Sequence, residues 1–312
     1  MIVGSIRSGL VEAVHPVAVA AVDATGGVIA TNGEVSGRDF FLRSALKPIQ
    51  AAVTDANGAA LGLEQLAIAD ASHSGFPIHV AHVEQMLLEV GLDAGHLRCP
   101  PDHPGAGDAE AIWVRRGRAE PERVFHNCSG KHAAMLRACV ARDWPLEYTA
   151  PDHPLQREVI SLAGEYAGRT GQPVGVDGCG VPTPRSDVVG LARMFSRVAV
   201  DPGFARVRTA TMRFPSLLRD GDRPEAQIAR WFPGVVKGGA MGCIGIAWPE
   251  GGIGFAAKCW TGDGAAATVA ILTLMSDLGI LSGYPRDQLA PVISPEVLGG
   301  GAPVGKLAVI ER

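Results

Sequence analysis

Ser44 and Lys47 stand three residues apart in Phe40-Phe41-Leu42-Arg43-Ser44-Ala45-Leu46-Lys47-Pro48. A helix beginning here would place both side chains on one face. A lysine kept neutral by burial or by a neighbouring cation can take the proton of a serine hydroxyl, which makes the serine a nucleophile toward an acyl group. This is one route to a serine acyl-enzyme that needs no histidine. The same spacing also fits an ordinary helix start with a solvated lysine, so other residues must decide between the two.

Lys237-Gly238-Gly239 precedes a strand-like run. Serine acyl-enzymes of the penicillin-recognising type pair Ser-x-x-Lys with a later Lys-Thr-Gly on an edge strand; here glycine holds the middle place. Lys237 would counter a substrate carboxylate, and Gly239 would let a ligand approach backbone amides. A glycine turn with a surface lysine reads equally well. Lys258 lies in an apolar run between Ala257 and Cys259. A lysine buried there meets a carboxylate or loses its proton, and strand alternation sets it opposite both neighbours.

Cys128 and Cys179 each sit in small, polar, turn-rich surroundings. Two soft thiolates with a nitrogen from His126, His132 or Lys131 would suit zinc, while two ordinary buried thiols fit the same sequence. Ser72, His73 and Ser74 can orient an amide or a carboxylate, or simply cap a turn. Asp177 can receive an α-ammonium, although Asp-Gly is also a turn pair. Cys139, on the apolar side of its helix, and Cys99, in a proline-rich loop, read as structural.

The scaffold for these residues is legible in outline. Val17–Val22 and Gly27–Thr31 flank a turn and predict an antiparallel hairpin. Helices are expected over Leu63–Ala71, His79–Val90, Pro154–Ala167, Val188–Val200 and Phe204–Arg213, with a shorter one at Glu225–Phe232. Strands Cys243–Ala247 and Gly254–Lys258, a buried helix from Ala265 to Met275 and a strand Val304–Ile310 complete the chain. The expected fold is mixed α/β, with N- and C-terminal strands in one sheet and a helical region over one side. The chain is read as one catalytic unit, 1–312, divisible into a sheet part (1–60 with 235–312) and a helical part (61–234).

Composition narrows the function classes. The chain has 312 residues, a net charge of -4 and scattered basic residues, so neither nucleic acid nor an anionic membrane is an expected partner. Its opening residues lack the pattern of a secretory signal, and no apolar run is long enough to span a bilayer. Cytoplasmic location and six reduced cysteines are expected. A dinucleotide or nucleoside-triphosphate site is a poor match, since neither a Gly-x-Gly-x-x-Gly after an opening strand nor a Walker loop is found.

Arg43-Ser44-Ala45-Leu46-Lys47-Pro48, Ala71-Ser72-His73-Ser74-Gly75 and His126-Asn127-Cys128-Ser129-Gly130-Lys131-His132 together resemble the asparaginase II family typified by rhizobial enzymes. Asp177-Gly178-Cys179-Gly180, Lys237-x-Gly239-Ala240 and Ala257-Lys258 continue the resemblance over essentially the whole chain. It implies a serine β-lactamase- and glutaminase-like fold, a homodimer, and hydrolysis of L-asparagine to L-aspartate and ammonia. It places the nucleophile on Ser44, its lysine on Lys47 and an assisting serine on Ser72, with Ser74 close enough to compete. Lys258 and Cys243 match further pocket residues: Lys258 is read as catalytic, a proton relay alternative to Ser72, and Cys243 falls with Arg43, His73, Ser74, Asp177, Lys237 and Gly239 in the substrate-binding set. Zinc in such enzymes is held by two cysteines and a lysine, here Cys128, Cys179 and Lys131, and tunes substrate binding rather than supplying the attacking water.

Three positions depart from the family pattern. Met241 replaces a frequent glutamate, Ala265 a frequent arginine, and Phe76 the usual acidic residue after Ser-His-Ser-Gly. The competing readings are a glutaminase, a penicillin-recognising hydrolase and, from another class, a non-catalytic amino-acid binding protein. The incomplete Lys-Thr-Gly motif counts against the second.

Overall fold

Alternation along the second strand determines the architecture. In Val17-Ala18-Val19-Ala20-Ala21-Val22 every side chain is apolar and buried, as in a strand covered on both faces. Ala18, Ala20 and Val22 join one hydrophobic cluster, whereas Val17, Val19 and Ala21 join a second on the opposite face.

The computed structural model describes residues 1–219 and 223–312. It opens with strands β1 (Ile2–Arg7), β2 (Leu10–Val22), β3 (Val28–Asn32) and β4 (Phe40–Phe41). A 3₁₀ turn, Arg43–Leu46, leads into α1 (Lys47–Ala56), α2 (Leu63–Asp70), α3 (Pro77–Leu88), α4 (Gly107–Arg115), α5 (Ser129–Ala141) and α6 (Pro154–Ala167). The hairpin β5 (Val174–Val176) and β6 (Pro182–Ser186) precedes α7 (Val188–Val200), α8 (Ala205–Arg213), α9 (Pro215–Leu218) and α10 (Pro224–Trp231). Then come β7 (Val235–Gly239), β8 (Cys243–Trp248), β9 (Ile253–Cys259), α11 (Gly264–Asp277), α12 (Arg286–Ile293), β10 (Glu296–Gly299) and β11 (Ala302–Glu311).

The main sheet runs β10-β11-β1-β2-β9-β8-β7, with β3 also on β2. Its ladders are antiparallel, and the chain ends meet where β1 pairs with β11 and β2 with β9. N- and C-terminal strands therefore share one sheet, as expected for this mixed α/β class. One correction concerns the layers. Most of the helical middle covers one face, but α11 covers the other, where Ala267, Val269, Ala270 and Ile271 pack in the second cluster together with Ile228 of α10. The middle segment touches the sheet most closely through α7. A Cβ on Gly245 would fall 2.1 Å from the Phe195 ring, and one on Gly254 2.0 Å from Ser196 N. Those two glycines let α7 lie directly on β8 and β9.

Local signals explain most boundaries. Pro154 occupies the first turn of α6, and Gly168 ends it at φ 67°, the left-handed conformation glycine adopts without strain. Asp187 and Asp263 cap α7 and α11 by accepting from Gly190 N and Ala266 N, each satisfying an otherwise orphaned helix donor. Among the described residues no helix is long and apolar enough to cross a membrane, and the six cysteines are buried and free.

Candidate active site

Ser44 and Lys47 do not share one α-helix: Ser44 belongs to the 3₁₀ turn and Lys47 opens α1. Arg43, just before the serine, has φ 51°, a left-handed conformation that costs a non-glycine residue roughly 1 kcal/mol or more. Its surroundings hold it there. Arg43 N donates to Thr183 Oγ1 at 3.0 Å, and Arg43 Nε donates to Asp177 Oδ1 at 2.5 Å. The β5–β6 hairpin therefore braces the serine turn, a function of Thr183 that its residue type alone does not announce.

Lys47 is fully buried. Its Nζ donates to the Ala71 carbonyl, to Ser72 Oγ at 3.1 Å and to the Asn127 carbonyl at 3.4 Å. Burial lowers its pKa to about 8, against the partial opposition of Cys128. A fraction of Lys47 is thus a neutral base near physiological pH, the state a Ser-Lys pair requires. Among the described residues Ser44 Oγ makes no hydrogen bond, whereas Lys47 Nζ contacts Ser72 Oγ directly. Ser44, Ser72 and Asn127 line one cavity of about 470 Å³, with Glu225, Gly238, Gly239, Ala240, Met241 and Cys243 on its other walls.

Close backbone approaches bring these pieces together. Gly239 lies against the serine turn, since a Cβ there would sit 3.0 Å from Leu42 O and 3.1 Å from Ala45 N. A Cβ on Gly130 would fall 2.4 Å from Ile68 O, so α5 presses on the end of α2 and carries Asn127 and Cys128 up to Lys47. His73 props the loop between them. Its Nδ1 accepts from Gly75 N at 3.2 Å, which leaves Nε2–H to donate to Ser129 Oγ at 2.9 Å. Burial holds His73 well below the ordinary histidine range, so it is neutral. His73 and Ser74 are buried outside the cavity lining, and Phe76 meets His79 edge-to-face at the start of α3.

The remaining expected residues divide into two groups. Arg43, Asp177, Lys131, Cys128 and Cys179 form a cluster behind the serine turn. Asp177 Oδ2 lies 3.8 Å from Lys131 Nζ and 3.7 Å from Cys179 Sγ. A hydrogen bond from Cys179 pulls the Cys128 thiol well below its usual range and pushes Cys179 upward. Burial opposes charge on Lys131, but Cys179 and Cys128 outweigh it and raise the amine. Lys237, Lys258 and Cys243 form the second group on the sheet. Lys258 points opposite Ala257 and Cys259, and its Nζ donates to Met241 O beside the Phe40 and Trp260 rings. Lys237 is buried and paired with Glu225 Oε1 at 2.8 Å, so it faces that carboxylate rather than the cavity.

Zinc can be tested against the donors present. Lys131 Nζ is buried with no hydrogen-bond partner, and its neighbours are two thiols, one of them poised as thiolate. Two sulfurs and one amine, which a cation would have to hold deprotonated, are a soft set compatible with zinc. Among the described residues no group of three His, Cys, Asp or Glu side chains is placed to hold a metal, so any such site depends on the lysine.

Sequence reasoning passed over Glu225, Arg219, Arg223 and Thr268, which also line the cavity. It also passed over Asp70, fully buried at the end of α2 with neither carboxylate oxygen hydrogen-bonded. No motif marks them; only the fold brings the first four to the cavity and buries Asp70. Met241 and Ala265, two of the departures, line the same cavity.

A family model described as L-asparaginase II matches residues 3–309. No curated protein matches the chain. Among solved structures it is similar to a β-lactamase from Mycobacterium bovis, with 16% identity, 86% of this chain and 94% of that one covered, and a TM-score of 0.48. It is also similar to Mglu in its glutamate form, with 14% identity, 89% and 65% covered, and a TM-score of 0.49.

Proposed function

Given that the chain belongs to the L-asparaginase II family, a family of amidohydrolases, we propose that it hydrolyses L-asparagine to L-aspartate and ammonia through an acyl-enzyme on Ser44. The observation that carries this reading is the shared cavity: Ser44 and Ser72 line one wall, and buried Lys47 touches Ser72 from behind at 3.1 Å.

Ser44 Oγ attacks the side-chain amide carbon, and its proton passes by way of Ser72 to neutral Lys47. Backbone amides near Ser44 and Gly239 receive the developing oxyanion. Lys47 returns the proton to the leaving nitrogen, the C–N bond breaks and ammonia departs. Water then attacks the aspartyl ester with the same lysine as base, and Ser44 is regenerated. Arg43 and Asp177 act by fixing the serine turn. Cys128, Cys179 and Lys131 would hold a zinc ion that, when bound, supplies positive charge tuning substrate affinity. We propose a homodimer in the cytoplasm as the working form.

The test is ammonia release from L-asparagine, with L-glutamine and D-asparagine alongside. Ser44→Ala should lose at least about 10³-fold in kcat while retaining its fold. Folded protein that releases no ammonia from any amide, with or without zinc, would sink the asparaginase reading.

A further inference from the structure

β7 is the last strand in the order of the main sheet, and among the described residues it pairs with β8 alone. An edge strand running past a serine nucleophile offers its outward N–H groups to an extended acyl chain, which can add as a further strand. A lysine on such a strand offers a counter-charge to a carboxylate carried by that chain. Here both offers are taken up from inside the protein. Glu225 Oε1 accepts from Lys237 Nζ at 2.8 Å and from Gly238 N at 2.7 Å, and Glu225 Oε2 accepts from Arg219 Nη1 at 3.2 Å.

The fit is close. A Cβ on Gly238 would lie 2.7 Å from Glu225 Oε1, so the glycine in the middle of Lys-Gly-Gly is what lets the carboxylate rest on the strand. Any side chain there would push it away. Glu225 is buried and lines the same cavity as Ser44, Ser72, Gly238 and Gly239. Three donors already converge on it, and an ionised carboxylate has about four acceptor positions. The pair with Lys237 holds its pKa down to about 2 despite burial, so the group is an anion throughout the working range.

We infer that Glu225 is a specificity-determining residue: its carboxylate occupies the place on β7 that the carboxylate or backbone carbonyl of a β-lactam or peptide would need. Long acyl chains lose both the strand edge and the lysine, and meet a fixed negative charge instead. A short amide whose reacting carbonyl lies close to its own charged groups needs neither. Exclusion by a built-in like charge is a physical route to selectivity, and it rests on Ser44 being the acylated nucleophile.

The test is acylation by a fluorescent penicillin. In that step Ser44 Oγ bonds to the lactam carbonyl carbon, the lactam C–N bond breaks, and the serine proton ends on the ring nitrogen. Labelling should be slow in the wild type. Glu225→Ala should label at least about tenfold faster, since loss of one like-charge contact is worth a factor of that order, and should do so only when Ser44 is present. Glu225→Gln has nearly the same shape and still accepts from Gly238, but frees the charge of Lys237. It should show a smaller increase, and it protects the test if Glu225→Ala fails to fold. Unchanged labelling of folded Glu225→Gln, or labelling that persists in the Ser44→Ala background, overturns the inference. Ammonia release from L-asparagine, assayed in parallel, separates the two proposals. Labelled variants beside an inert wild type would overturn the asparaginase reading alone, whereas an active wild type with unchanged labelling would overturn this one alone.

Discussion

Replacing Asp70 with asparagine should change the protein's stability in a direction that becomes steadily more favourable as pH rises. Asp70 is fully buried and neither oxygen is hydrogen-bonded. Lys47 on α1, Lys237 on β7 and Glu225 on α10 are the charged groups facing it. Burial raises its pKa from 3.8 to about 7, with Lys237 and Lys47 only partly offsetting the rise. A carboxyl whose folded pKa lies above its unfolded value favours folding in its protonated form. Its cost is therefore smallest below pH 3.8, rises between there and 7, and levels off above 7. The plateau is three pKa units at 1.36 kcal/mol each, about 4 kcal/mol. At pH 5 the same relation gives about 1.7 kcal/mol, so about 2.5 kcal/mol should appear between pH 5 and pH 8. Burying the asparagine amide has its own cost of about 1–3 kcal/mol, but that cost does not titrate and cancels in the difference. Denaturant unfolding of both proteins at pH 5 and pH 8 measures it. A difference independent of pH, or a variant relatively less stable at pH 8, would refute the idea that Asp70 is an uncompensated buried acid.

Glu225 should behave in the opposite sense. Its folded pKa of about 2 lies below the ordinary 4.5, so its stabilisation is full above pH 4.5 and is lost as pH falls toward 2. Glu225→Gln should cost about 3 kcal/mol at pH 7, a gap that closes in acid; equal loss at both pH values in denaturant melts would contradict this. Gly254→Ala should destabilise by about 1–3 kcal/mol or more, because the new Cβ on β9 would meet Ser196 N of α7 at 2.0 Å and force the helix off the strand, and a melting temperature equal to wild type would disprove it. Asp177→Asn leaves Arg43 and Lys131 facing each other without their carboxylate. The KM for L-asparagine should rise at least about tenfold, in the range expected for a displaced site residue, and unchanged kinetics would show that the brace on Ser44 is dispensable.

Periodicity fixed the strongly patterned elements. Pro154–Ala167 and Val188–Val200 fall on α6 and α7 residue for residue, because each combines a 3.6-residue apolar stripe with a start signal. β1 and α12 went unanticipated. Only two of the six residues of β1 are buried, too few to show a pattern, and Pro291 interrupts α12. In the site, Ser44, Ser72 and Gly239 line the cavity. Lys237 does not, because its partner Glu225 comes from a helix that carries no motif. Asp70 was equally silent: an aspartate at a helix end reads as solvated until the fold closes over it. What local sequence could not disclose was which charges would be buried facing one another.

That pairing also bears on the cysteine cluster. Neither thiol lines the cavity, yet Asp177 joins the cluster to the nucleophile, holding Lys131 at 3.8 Å through one oxygen and Arg43 at 2.5 Å through the other. Arg43 occupies a left-handed conformation that is unfavourable without its partners. A change of charge on Lys131 would alter the pull on Asp177, and with it how firmly Arg43 is held beside Ser44. The coupling needs no moving domain. It needs a carboxylate with two oxygens and a strained residue between it and the serine, and it would act on substrate affinity while the Ser72–Lys47 contact stays in place.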